Sequence, residues 1–332
     1  QLAASASTAL PATSGTHVAI DGLSALFPDG VASKLMAIHL LVCSSNAVAE
    51  VPATRWHVHA LPAMPEPIAR RVRHGGFVRG AELADNAAFA ISPAEAAVMD
   101  PCQRLVLEHG YVAFHDARMD RSLLSGSLTG IFLGFGGSNF SELLIASSAR
   151  SSVYTATGSS ASVAAGRLSY TLGLHGPCAT YDTACSAALV ACHAGQRALQ
   201  FDECSTGLAV AAALMLSPTM GSAFAVAGMT SAHGRSHTFD MRADGYTRAE
   251  ACAAAVLRQG RGIDLSLHGS AVRQDGRSAS LTAPNGLAQQ GVLAAALRDA
   301  STAADALARM EAHGTGTALS LIHISEPTRQ VP

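Results

Sequence analysis

A cysteine at the joint between a short strand and a helix restricts this chain more than any other feature. The run Tyr181-Asp182-Thr183-Ala184-Cys185-Ser186 follows a strand predicted at Ala179–Thr183. A helix predicted over Ser186–Leu199 follows it, with apolar positions at Leu189, Val190 and Cys192. A helix N-terminus offers unpaired N–H groups and a partial positive charge, which together favour a thiolate. The small residues Ala184, Ala187 and Ala188 let the backbone turn sharply and let a long acyl group approach. The same turn supplies a backbone N–H for a developing oxyanion. These residues alone leave a second reading open, in which Cys185 is one more buried thiol among seven.

Strand and helix patterns alternate along the chain. A strand is predicted at His17–Ile20, followed by a turn around Phe27-Pro28-Asp29-Gly30. Ser92-Pro93-Ala94-Glu95 opens a helix, with serine at N-cap, proline at N1 and glutamate at N3, expected to run to Met99. Gln103–Asp116 and Ser159–Leu172 read as helices, and Leu128–Phe135 as a strand. The uninterrupted apolar runs Leu208–Leu214 and Ala251–Leu257 suit strands covered on both faces. Leu287–Leu307 has a helical pattern. Such alternation predicts an α/β layered fold.

Apolar residues make up 49% of the chain and charged residues 14%, which excludes a disordered chain. A net charge of −2 without a basic block gives no footprint for nucleic acid. Residues 205–229 carry no charge, but Pro218, Gly221 and Gly228 interrupt them, so strand plus loop is expected rather than a membrane span. The seven cysteines form no CxxC pair and no metal-ligand spacing. No metal site is expected, and the thiols suit a reducing, cytoplasmic setting. The chain begins at Gln1, so a cut N-terminus is expected; residues 1–16 read as a frayed or linker segment without the charged start of a signal peptide.

Far downstream, Glu311-Ala312-His313 leads into Gly314-Thr315-Gly316-Thr317. The glycines permit close backbone approach and the threonines offer hydroxyls to a ligand amide. A histidine distant in sequence can meet a nucleophilic cysteine in space, although one histidine among 14 taken alone is more often structural. Around these two motifs lies an ordered series: Phe27-Pro28, Val51-Pro52 with Arg55-Trp56, Gly75-Gly76-Phe77, Ile91-Ser92-Pro93 with Glu95-Ala96, and Met99-Asp100-Pro101 with Gln103-Arg104. It continues through Gly166-Arg167-Leu168-Ser169-Tyr170, Asp244-Gly245-Tyr246, Gln274-Asp275-Gly276-Arg277 and Leu281-Thr282-Ala283-Pro284-Asn285-Gly286. Over about residues 17–318 the chain resembles the β-ketoacyl synthases, and within them the ketosynthase domains of polyketide synthases rather than stand-alone fatty-acid enzymes.

The resemblance implies a thiolase-like α/β/α/β/α sandwich of two similar halves, and a homodimer. It implies that Cys185 receives an acyl chain from the phosphopantetheine of an acyl carrier protein or domain, with no directly bound cofactor. His313 would assist decarboxylation of a malonyl-type extender and bind the developing charge, and Thr315 and Thr317 would contact the pantetheine. Neighbouring polyketide synthase domains are implied as partners. The remaining motifs read as structural, and His193, two turns beyond Cys185, as a packing residue. Departures from the pattern are Cys102 in place of glutamine, Ala187 in place of serine, and Arg248-Ala249 in place of a glycine-rich stretch.

Past Thr317 the family pattern supplies a Gly-Asp-Pro segment, a lysine, a second histidine and a glycine- and phenylalanine-containing loop, none of which this sequence contains. Instead Leu319-Ser320-Leu321-Ile322-His323-Ile324-Ser325-Glu326-Pro327-Thr328-Arg329 resembles one reading frame of a sequencing adapter. The expected organisation is a first half at 17–250, the start of an incomplete second half at 251–318, and a non-biological tail at 319–332. The chain as written is then expected to be inactive in condensation and poorly soluble. Two other classes stay open from the residues: a non-catalytic scaffold of the same fold, and an acyl hydrolase using Cys185 and His313.

Overall fold

The computed structural model describes residues 17–57, 64–260, 262 and 264–317. The frayed segment expected at 1–16 and the tail expected at 319–332 lie outside the described residues. Among those described are the strands β1 (Val18–Leu26), β2 (Val48–Glu50), β3 (His74–Gly76), β4 (Thr129–Gly134), β5 (Cys178–Tyr181), β6 (Thr206–Ala213), β7 (Ala251–Gln259) and β8 (Ser266–Leu267). The helices of eight residues or more are α1 (Lys34–Val42), α2 (Pro101–Asp116), α3 (Ala161–Leu172), α4 (Ala187–Gln200), α5 (Thr219–Val226) and α6 (Gly286–Asp299).

Six strands form one mixed sheet in the order β5-β4-β6-β7-β1-β8. β4 runs parallel to β5 and β6, while β7 is antiparallel to β6 and β1. Every residue of β4 is buried, which explains its uninterrupted apolar pattern. The two-residue period of a strand still sorts side chains between faces. Ile131, Leu133, Leu208, Val210 and Val256 join one core cluster, and Phe132, Ala209 and Leu257 join the other. The first is closed by α2 and α3 through Leu105, Val106, Phe114 and Leu168, the second by α4 through Ala191, Ala198 and Leu199. Helices therefore cover both faces of the sheet. The fold class is α/β, as expected, and the described residues form three of the five implied layers. β7, placed by the sequence at the start of a second half, is hydrogen-bonded between β6 and β1 inside the first sheet.

The structural motifs become a connected set of contacts. Ser92 Oγ accepts the Glu95 N–H at 3.2 Å, as a capping serine should. That helix ends at Ala96 and not at Met99. Asp100 precedes Pro101, adopts ψ 126°, and caps the next helix by accepting the Cys102 N–H at 2.8 Å; a residue before proline is driven out of the helical region. Gln103, 1% exposed, donates to the carbonyls of Thr157 and Ser160. Arg167 donates to Gln103 Oε1 at 3.1 Å and pairs with Glu95. Arg55 pairs with the fully buried Glu250, whose carboxylate also accepts the N–H groups of Val78 and Met215. The helix expected over Leu287–Leu307 stops at Asp299, because Ser301 turns to φ 50° and a separate turn follows at Ala304–Ala306. Residues 205–229 hold β6 and α5, and no helix among the described residues is long and apolar enough to cross a membrane.

Candidate active site

Cys185 occupies a tight turn, Ala184–Ser186, between β5 and α4, so it precedes the helix by two residues. Ala184 holds φ 52°, a left-handed conformation that glycine adopts freely and alanine does not. The neighbouring side chains brace it. Asp182 Oδ1 accepts the Ala184 N–H at 3.2 Å, and Ser186 Oγ donates to the Thr183 carbonyl at 2.9 Å. Cys185 itself is exposed. Beneath the turn, Gly134 ends β4. A Cβ there would lie 2.7 Å from Ala187 C and Ala188 N, so the first turn of α4 rests directly on the β4 backbone. The sequence pattern places Gly134 inside the strand expected at Leu128–Phe135 and gives it no role of its own.

His313 is exposed, and the turn after it is built on two left-handed glycines, Gly314 at φ 47° and Gly316 at φ 72°. Gly245 N–H donates to the Gly316 carbonyl at 3.2 Å. Thr315 and Thr317 are part-buried with hydroxyls 3.3 Å apart. The Asp244-Gly245-Tyr246 segment holds the turn after His313. Gly245 takes φ 132° with no room for a Cβ, which would meet the Met229 carbonyl at 2.6 Å. Tyr246 N–H donates to that carbonyl at 3.0 Å. Burial raises the Tyr246 hydroxyl above its ordinary range, Arg248 pulls it back, and the charge of Cys185 adds to the rise. The residue before Tyr246, Gly245, holds the loop that follows His313. Among the described residues no hydrogen bond joins Cys185 to His313 directly.

Arg71 fixes the base of this segment by donating from one nitrogen to the carbonyls of Thr230 and Asp244, the latter at 3.1 Å. Nothing in the local sequence marks Arg71 as a site-building residue, and Tyr246 stands there only within a motif read as structural. His193 stands apart from the site, with Nδ1 2.7 Å from Ser270 Oγ. Of the departures, Cys102 is buried beside Cys252, and burial pushes its thiol well up. Arg248 lies over the Phe224 ring at 5.3 Å, and burial lowers its pKa. Ala187 is 5% exposed above Gly134. Among the described residues no group of three or more His, Cys, Asp or Glu could hold a metal ion.

The family model for the beta-ketoacyl synthase N-terminal domain matches residues 16–261, and that for the C-terminal domain matches residues 266–320. Polyketide synthase GfsB of Streptomyces halstedii is 42% identical over 312 residues, covering 91% of this chain and 6% of that protein. Pikromycin polyketide synthase component PikAII of Streptomyces venezuelae is 40% identical over 330 residues, covering 95% of this chain and 9% of that protein. The chain thus spans a small part of these relatives. The solved ketosynthase from module 6 of the bacillaene synthase of Bacillus subtilis 168 superposes with a TM-score of 0.82 at 28% identity, over 95% of this chain and 55% of that one. A Streptomyces albus oxazolomycin ketosynthase domain gives a TM-score of 0.84 at 28% identity, over 93% and 55%. The fold is thiolase-like, as these neighbours are.

Proposed function

The chain belongs to the beta-ketoacyl synthase family, and on that premise we propose that it is the ketosynthase domain of a polyketide synthase, catalysing decarboxylative Claisen condensation. The observation that carries this reading is the exposed Cys185 on a strained turn ahead of α4, together with the exposed His313 ahead of a glycine turn that Gly245 holds in place.

The Cys185 thiolate attacks the carbonyl carbon of an acyl thioester on a carrier's phosphopantetheine. The new C–S bond forms, the carrier C–S bond breaks, and the carrier sulfur leaves as thiolate. Backbone N–H groups at the start of α4 suit the transient oxyanion. A malonyl-type extender on a second carrier then loses carbon dioxide, and the electron pair of that C–C bond becomes an enolate. His313 donates a hydrogen bond to the thioester oxygen that bears this charge. The enolate carbon attacks the acyl carbon, a C–C bond forms, and Cys185 leaves as thiolate. Thr315 and Thr317 hydroxyls hold the pantetheine amides. Carrier domains, neighbouring synthase domains and a second copy of the domain are the proposed partners, in the cytoplasm.

Product analysis tests the reaction class. The full-length protein that carries this domain, given an acyl thioester and a malonyl carrier thioester, is expected to release carbon dioxide and form a β-ketoacyl thioester two carbons longer. Free acid as the main product would mark a hydrolase, and no product at all, with both carriers loaded, would mark a scaffold.

A further inference from the structure

His313 is followed by a turn whose position is set from outside its own segment. Thr238 Oγ1 donates to the Gly314 carbonyl at 2.5 Å. The Thr238 methyl closes on the same residue, since a Cβ on Gly314 would lie 2.6 Å from Thr238 Cγ2. Two residues on, Gly245 N–H holds the Gly316 carbonyl, and a Cβ on Gly316 would lie 3.1 Å from the Gly245 oxygen. The loop carrying Thr238 is itself closed. Thr247 N–H donates to Ser236 Oγ at 2.9 Å, Asp240 pairs with Arg242, and Arg71 ties the loop base at Thr230 and Asp244. Thr238 is thus a two-point clamp, polar and apolar, presented from a braced loop onto the residue next to His313.

We propose that Thr238 is a positioning residue for His313: its hydroxyl and methyl together fix Gly314, and through it the direction in which the imidazole is presented. The proposal rests on the role given to His313 above and adds the residue that orients it. A histidine that must place one N–H on a developing oxyanion loses rate when its backbone drifts, because a displacement of about 1 Å can cost two orders of magnitude. Among the described residues no hydrogen bond joins Thr238 to the cysteine turn, so acylation of Cys185 is expected to be independent of it.

The test compares Thr238→Val, which keeps the methyl and the volume but removes the donor, with Thr238→Ser, which keeps the hydroxyl. Both are made in the full-length protein and judged by Cys185 acylation, carbon dioxide release from a malonyl carrier thioester, and melting temperature. Thr238→Val is expected to slow decarboxylation about tenfold, as loss of one well-placed hydrogen bond does. It should leave acylation within about twofold of wild type by that same scale, and Thr238→Ser should recover most of the loss. Unchanged decarboxylation in Thr238→Val overturns the proposal, and so does an equal fall of acylation, decarboxylation and melting temperature, which marks a merely structural residue. If the wild-type protein acylates but releases no carbon dioxide, the role of His313 fails instead. The clamp is then decided by a crystal structure of Thr238→Val, in which an unmoved Gly314 turn contradicts it and a shifted one upholds it.

Discussion

Ala184 and Gly134 show how single residues shape the nucleophile. Ala184 carries a left-handed φ of 52° that roughly 1–2 kcal/mol opposes for an L-residue, and Asp182 and the Thr183–Ser186 contacts hold it there. Gly134 lets α4 settle onto β4. Its replacement by alanine puts a Cβ 2.7 Å from the backbone of Ala187 and Ala188, which has no flexible end to give way. Overpacking of this kind costs about 1–3 kcal/mol, and here the strain falls on the turn holding Cys185. Gly134→Ala is therefore expected to lower the melting temperature and to slow Cys185 acylation at least tenfold, in line with the sensitivity of catalysis to small displacements. A variant that melts lower but acylates at the wild-type rate would show that the turn does not depend on β4. At this scale the sequence singles out Cys185 and His313 as candidates, because their neighbours carry a local signature. It was silent on Gly134, Arg71 and Thr238, because their partners lie far away in the chain.

At the level of elements, α4 is more than the carrier of the cysteine. His193 meets Ser270 Oγ, Gln196 accepts from the same hydroxyl, and Arg197 pairs with Asp299 at the end of α6. This cluster fastens α4 to the segment beyond the sheet. Burial, then the charge of Arg197, hold the His193 imidazole below its ordinary value of 6.5, with Asp299 opposing. A depressed folded-state pKa contributes stability that is present above the unfolded value and lost as pH falls through the folded one. Stability from His193 is therefore present above about pH 6.5 and lost on acidification below it. Melting temperatures between pH 7.5 and 5 are expected to fall more steeply for wild type than for His193→Gln; parallel curves would contradict this. The buried strands and α2, α3 and α4 were legible because their apolar patterns answer to the two core clusters on the faces of one sheet. Helix ends were less so. The alanine-rich pattern after Asp299 contains nothing that stops a helix, whereas Asp100-Pro101 stops one and starts the next. α1 bears Leu35, Leu41 and Val42 at 77, 74 and 77% exposure. Its sequence has no polar face to set an orientation, and nothing in the structure explains the exposure.

For the whole molecule, the motifs that resembled a family in order along the chain are adjacent or linked in space. Arg55 reaches Glu250, Glu95 reaches Arg167, and Gly245 reaches Gly316. Motif order alone does not reveal such contacts, since they join segments far apart in sequence. The family and its α/β layering could be read from the chain; the position of β7 within the first sheet could not, because a doubly buried strand gives the same apolar run in either half. The central claim is that one thiol among seven is built to take an acyl group. Cys43 and Cys178 are exposed as well as Cys185, whereas Cys102, Cys204 and Cys252 are buried. Exposure alone would label three cysteines. Burial raises the thiols of Cys204 and Cys252 to about 11 and about 12, which keeps them inert. The most direct measurement is peptide mapping by mass spectrometry after the full-length protein meets a limiting acyl thioester. The account predicts the acyl group on the peptide containing Cys185 and its loss in Cys185→Ala, with Cys43 and Cys178 unmodified; equal labelling of the three exposed cysteines, or normal acylation of Cys185→Ala, would contradict it.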